Sequence, residues 1–172
     1  MTRPAKSVLM VIIDALATRV VEPAIGDGRL PNLARLARAG VFERRCWSIF
    51  PSITPAATCT LHTGEYPRRH GVAGAYWYDP KRDRVAYYGD DIWAILAHGH
   101  GRYFREFQVT LNFDHLRTPT VYEFARRAGQ RAACLNSMWF RADVPHEVNL
   151  PLLLKLLPRI ESAKTLNGPD VL

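Results

Sequence analysis

The sequence predicts an α/β protein with a largely parallel sheet and helices on both faces. Three observations predict it: an apolar β-rich run near the start, helical stripes punctuated by Pro and Gly, and an order in which strands and helices alternate. Residues 7–13, Ser-Val-Leu-Met-Val-Ile-Ile, are continuously apolar, as in a strand buried on both faces, and the run stops at Asp14. A helix follows at 31–39, striped by Leu33, Leu36 and Ala37. A strand over 41–49 then leads into a helix over 55–63, in which Pro55 suits the first helical position, Thr54 the N-cap and Gly64 the C-terminal cap. Next comes a hairpin, with 75–78 and 84–88 flanking the turn-forming Asp79-Pro80-Lys81-Arg82-Asp83. A helix at 119–128, with Val121, Phe124, Ala125 and Ala128 on one face and Gly129 at its end, precedes a strand at 131–136. Leu150 to Leu157 is apolar and compatible with a helix that covers the sheet, despite Pro151 and Pro158. No internal repeat occurs.

Composition narrows the class. At 172 residues and 48% hydrophobic, the chain suits one domain with a sizeable core. Its formal charge of +7 comes from 19 arginines and 4 lysines against 16 acidic residues. The arginines are scattered in short pairs such as Arg44-Arg45, Arg68-Arg69 and Arg126-Arg127, without a nucleic-acid motif, so a solvated basic surface is the simpler reading. Cys46, Cys59 and Cys134 make neither a metal-type pair nor a disulfide framework. Arg3 and Lys6 before an apolar run mimic a signal peptide, but the run is short, contains Asp14 and lacks a small-residue cleavage site. No segment approaches the roughly 20 apolar residues of a membrane span, so a cytoplasmic location is the default expectation.

Two positions carry chemical promise. An N-cap side chain such as that of Thr54 faces backbone N–H groups and the positive end of the helix dipole, where a phosphate or the alkoxide of a nucleophile is stabilised. The plainer alternative is a capping threonine, and the chain repeats the Thr-Pro pair at Thr118-Pro119 with nothing chemical attached. Asp14 closes the first predicted strand, and ligand sites of open α/β sheets lie beyond the carboxyl ends of strands. A loop cap is the plainer alternative there.

Five ordered blocks then resemble the type I phosphodiesterase and nucleotide pyrophosphatase group of the alkaline phosphatase superfamily. They are the apolar strand ending in Asp14; Leu30-Pro31-Asn32-Leu33 through Gly40; Phe50-Pro51-Ser52-Ile53-Thr54; Leu61-His62-Thr63-Gly64-Glu65-Tyr66-Pro67 through His70-Gly71-Val72; and Tyr78-Asp79-Pro80. The resemblance implies a partial alkaline-phosphatase-like fold, with Thr54 as a nucleophile that is transiently phosphorylated or nucleotidylated. It also implies two zinc ions, with Asp14 and Thr54 among their ligands, and a small phosphorylated substrate. Zinc suits the chemistry, because a threonine hydroxyl is a poor nucleophile at neutral pH until a metal lowers its pKa.

Departures from the family pattern are informative. Many nucleotide pyrophosphatases carry an asparagine three residues after the nucleophile, whereas this chain has Ala57, which bears on substrate class. The family's remaining zinc ligands lie far downstream, so the chain reads as the N-terminal portion of a longer domain spanning 1–172 here, with activity completed by a missing C-terminal half or a partner chain. The terminal Asn167-Gly168-Pro169-Asp170 reads as a turn into a further element. Asp90, Asp91, His98 and His100, and separately Asp114-His115, are expected to be solvated loop residues rather than metal ligands, and His62 and His70 structural. The aromatic group Tyr76, Trp77, Tyr78, Tyr87, Tyr88 and Trp93 is expected to pack the hairpin onto the core rather than to line a pocket. A sulfatase is disfavoured, since neither Cys nor Ser stands at position 54. Two functions remain: a metal-dependent hydrolase of phosphoric esters acting through Thr54, or a non-catalytic module that binds a phosphate ligand or a subunit.

Overall fold

The computed structural model describes residues 7–89, 92–147 and 165–170. The chain divides into two compact units, the first ending at Trp47 and the second beginning at Ser48.

The first unit is built on two helices, α1 (Thr18–Gly26) and α2 (Pro31–Ala39). Pro31 sits within the first turn of α2, where its missing N–H costs no hydrogen bond. Gly40 N donates to Leu36 O at the other end. The buried apolar side chains are few: Val21 and Ala24 from α1 and Ala34 from α2. Arg44 joins the loop after α2 to Glu22 of α1 by an ion pair. The expected strand 7–13 does not form, and its apolar side chains from Val8 to Ile13 are exposed. The expected strand 41–49 is likewise irregular, with Val41 and Trp47 exposed. The reason is physical: a buried parallel strand exists only through ladder bonds to neighbours on its edges, and no described segment pairs with either run.

The second unit holds the core. Helix α3 (Thr54–Thr63) leads to the short α4 (Pro67–His70), then a hairpin of β1 (Tyr76–Asp79) and β2 (Arg84–Tyr87). The hairpin register places Tyr76 opposite Tyr87 and Asp79 opposite Arg84. Helices α5 (Ile92–His98) and α6 (His100–Arg105) follow, and α6 runs into a π-helical stretch over Glu106–His115, closed by Leu116 N donating to Leu111 O. None of these three was legible in the sequence. Helix α7 (Val121–Arg127) starts one turn-step later than the Thr118-Pro119 pair suggests. Thr120 is its N-cap, in a reciprocal capping box with Glu123, a stronger cap than Thr118 could make. The predicted strand 131–136 reduces to one parallel bridge, Ala133 with Asp170. Asn167 and Gly168, expected in a turn, instead end β4 (Thr165–Gly168), which pairs antiparallel with β3 (Val144–Glu147). The apolar stretch Leu150 to Leu157 lies outside the described residues.

Helix and strand are thus mixed, as an α/β reading requires, but the two described sheets are small and antiparallel. The core consists of Cys59, Val72, Ala86, Tyr88, Leu111, Leu116 and Trp139, with Trp77, Phe107 and Met138 packed against it. Trp77 and Tyr88 therefore pack as expected, whereas Tyr76, Tyr78 and Trp93 are exposed. Among the described residues no helix is long and apolar enough to cross a membrane.

Candidate active site on helix α3

The helix that carries Thr54 is unusual in composition, and its threonines bond back to its own carbonyls. Its sequence, Thr-Pro-Ala-Ala-Thr-Cys-Thr-Leu-His-Thr, is rich in residues of middling helix propensity. Three threonines donate to the carbonyl four residues back, which satisfies their hydroxyls without strengthening the helix: Thr58 to Thr54 O at 2.6 Å, Thr60 to Ala56 O at 3.1 Å and Thr63 to Cys59 O at 2.8 Å. Gly64 ends the helix in the left-handed conformation at φ 70°, as its cap position predicts.

Thr54 is the first helical residue and not the N-cap; Ile53 takes the cap position, and its carbonyl accepts from Ala57 N at 2.9 Å. The shift of one residue leaves Thr54 at the amide end of α3, half-buried, with Pro55 and Ala56 buried behind it. Oxygen at that end lies in the favourable field of the helix dipole. Ala57 presents only a methyl group, and its N–H is committed to the helix.

The rest of the second unit fixes α3 from a distance in sequence. Trp139 is fully buried and its Nε1 donates to Thr58 Oγ1 at 2.8 Å. Asn112 clamps the same segment, donating to Met138 O at 2.9 Å and accepting from Phe140 N at 3.1 Å. Arg141 donates four hydrogen bonds, through Nε to Glu123, through Nη1 to Asn112 O and Leu116 O, and through Nη2 to Thr118 O, and its Nη2 also pairs with the Glu123 carboxylate at 3.1 Å. These groups close the carbonyl end of the π-helical stretch. Asn112, Trp139 and Arg141 were not singled out from sequence, because partners up to 81 residues apart leave no local signature.

Histidines on and beside α3 are buried. His70 accepts from Val72 N through Nδ1 at 3.1 Å, so Nε2 carries the proton and donates to Thr60 Oγ1, also at 3.1 Å. Burial lowers the His70 pKa to about 4, and it stays neutral. His62 directs Nδ1 to Thr58 O at 2.8 Å, and burial lowers its pKa also. Burial pushes the Cys59 thiol up to about 12, so it is unreactive.

The remaining titratable candidates fall elsewhere. His115 is buried and not solvated, with Nε2 3.6 Å from Asp79 Oδ2 and its ring edge-on to Trp77. Arg82 bridges Asp79 and Asp114 at 2.8 Å each, and Arg82 is the main cause that holds the Asp79 carboxyl below its usual range. Asp90 and Asp91 lie outside the described residues, while His98 ends α5 and His100 begins α6.

Asp14 belongs to the first unit and Thr54 to the second. Asp14 is exposed and accepts from Ala15 N at 3.0 Å, a local turn in which Ala15 takes φ 55°. Among the described residues no three His, Cys, Asp or Glu side chains converge as a metal site needs. A two-zinc centre requires about six protein ligands, more than the described residues bring together.

Comparison with curated protein sequences and with solved structures returns no match. The family model for type I phosphodiesterase / nucleotide pyrophosphatase matches residues 8–166, a span that includes both Asp14 and helix α3. The chain belongs to the type I phosphodiesterase / nucleotide pyrophosphatase family.

Proposed function

We propose that this chain is the N-terminal portion of a single phosphodiesterase domain that hydrolyses phosphoric esters through Thr54. The observation that carries the reading is the position of Thr54, partly exposed at the amide end of α3 inside the family match. In this reading Thr54 Oγ1 bonds to phosphorus as the ester oxygen leaves, and water then cleaves the phospho-threonine. Amide dipoles at a helix start stabilise the negative charge carried by the phosphoryl group. Metal dependence belongs to the same proposal. Zinc is the ion that the family resemblance implies, Asp14 and Thr54 are the ligands this chain would contribute, and further donors are required from outside the described residues. The substrate is a small phosphorylated molecule; Ala57 supplies no side-chain donor to it.

A second reading is a non-catalytic module that binds a phosphate ligand or a partner subunit. It rests on the same helix start, which suits a bound phosphate anion without any bond being made or broken. One experiment separates the two: hydrolysis of bis(p-nitrophenyl) phosphate with added zinc, with peptide mass mapping of any phosphorylated residue. The hydrolase reading expects a phospho-adduct on Thr54 and at least a thousandfold loss of turnover in Thr54→Ala, on the order of what removal of a covalent nucleophile costs. Turnover that survives Thr54→Ala overturns it, and phosphate binding without turnover supports the module.

A further inference from the structure

On the far side of α3 from Thr54 in sequence, a second hydroxyl is held against a histidine. Ser137 Oγ lies 3.2 Å from His62 Nε2. Thr58 O can only accept, so the proton of His62 resides on Nδ1, which donates to that carbonyl at 2.8 Å. Nε2 is then the acceptor and the Ser137 hydroxyl the donor. This is the arrangement of an activated nucleophile: hydroxyl, neutral imidazole, and a third group that fixes the ring. The backbone presents the serine. Asn136 takes φ 49°, so the chain turns sharply before Ser137, and Trp139 N donates to Ser137 Oγ at 3.1 Å, which holds the side-chain rotamer. His62 is buried while Ser137 is partly exposed.

We propose that Ser137 is a nucleophilic hydroxyl with His62 as its general base, acting on small carboxylic esters and independent of Thr54 and of metal. Ser137 Oγ bonds to the acyl carbon as its proton passes to His62 Nε2. The tetrahedral oxyanion collapses, the C–O bond to the alcohol breaks, and the leaving oxygen takes the proton from Nε2. Water then attacks the acyl-serine by the same route and releases the carboxylic acid. The groups facing this pair are Tyr122 of α7, whose ring centroid is 5.7 Å from that of His62, and Cys134, which lies beside Tyr122. Burial keeps the Tyr122 phenol protonated, and its hydroxyl is hydrogen-bonded to Ser137 and Cys134, so it bears on the orientation of the attacking hydroxyl. The third group is a neutral carbonyl and not a carboxylate, so the dyad is a slow catalyst and its clearest signature is covalent.

The test is labelling of the full chain with a fluorophosphonate probe, in which the Oγ–P bond forms, P–F breaks and fluoride leaves. Mass mapping should place the adduct on Ser137, and Ser137→Ala should abolish it. His62→Gln should slow labelling by at least about tenfold. The labelling rate should rise with pH through an ionisation below 6.5, the direction in which burial moves His62, and then level off. An adduct on Thr54 alone, or a Ser137 adduct formed at an undiminished rate in His62→Gln, overturns the proposal. Should His62→Gln fail to fold, His62→Asn takes its place, and a Ser137 adduct formed at an undiminished rate in that variant overturns the proposal.

Discussion

Residues 7–13 and the neighbourhood of Trp139 are both apolar, yet the first is exposed and the second is sealed from water. Trp139 meets Thr58 through its indole N–H and lies among Cys59, Val72, Leu111 and Leu116. The run 7–13 has a stronger strand signature than any part of the second unit, but no described segment supplies the edges it would need. The contrast teaches that hydrophobic content fixes what a segment wants to bury, while partner elements decide whether it does. A helix satisfies its own backbone, so it can form wherever one face is covered; a strand cannot.

The largest effect expected from this contrast is at Trp139. Trp139→Ala removes a fully buried ring and leaves Thr58 without its donor, and should destabilise the second unit by roughly 3–5 kcal/mol. Urea denaturation followed by far-UV circular dichroism measures it. A loss under about 1 kcal/mol would mean that the ring is not the anchor of this core.

Legibility in the sequence follows the same division. Helix α2, the hairpin and the body of α3 were readable because their signals are local: the stripe of Leu33, Leu36 and Ala37, the Asp79 to Asp83 turn, Pro55 and Gly64. Thr54 was readable to within one residue, since Thr-Pro marks a helix start without saying which of Ile53 and Thr54 lies inside it. Asn112, Arg141 and the Ser137–His62 contact were not readable, because each depends on chain segments brought together by folding. The strand at 7–13 was misplaced for the opposite reason, a strong local pattern with no partner.

Acid should expose the second unit's dependence on neutral histidines. His70 is fully buried with its pKa lowered to about 4, and His62 and His115 move in the same direction, all through burial first. A histidine depressed in the folded state binds fewer protons there than in the unfolded chain between pH 4 and 6.5. Stability is therefore fully present above pH 6.5 and is lost as pH falls toward 4, by up to about 3 kcal/mol for His70 alone. Denaturation midpoints across that window check it. A midpoint that rises on acidification would require a buried charged partner for His70, which the Thr60 and Val72 contacts do not supply.

The smallest effect is expected in the first unit, and it decides between the strand that the sequence predicts and the exposed run that the structure shows. Val11 lies at the centre of residues 7–13 with 68% of its surface exposed. At such a site Val11→Lys should change the stability of α1 and α2 by no more than about 0.5 kcal/mol, read from hydrogen exchange of their own amides. It should also reduce self-association, because an uncharged β-branched run is a template for pairing between chains and one charge interrupts it. Light scattering of the two proteins at equal concentration measures that second outcome. A lysine forced between two covered faces of a sheet would instead cost several kcal/mol, through lost apolar burial and an unpaired buried charge. A loss of that size, with α1 and α2 amides exchanging faster, would place residues 7–13 inside a sheet and return the first unit to the parallel architecture that its sequence describes.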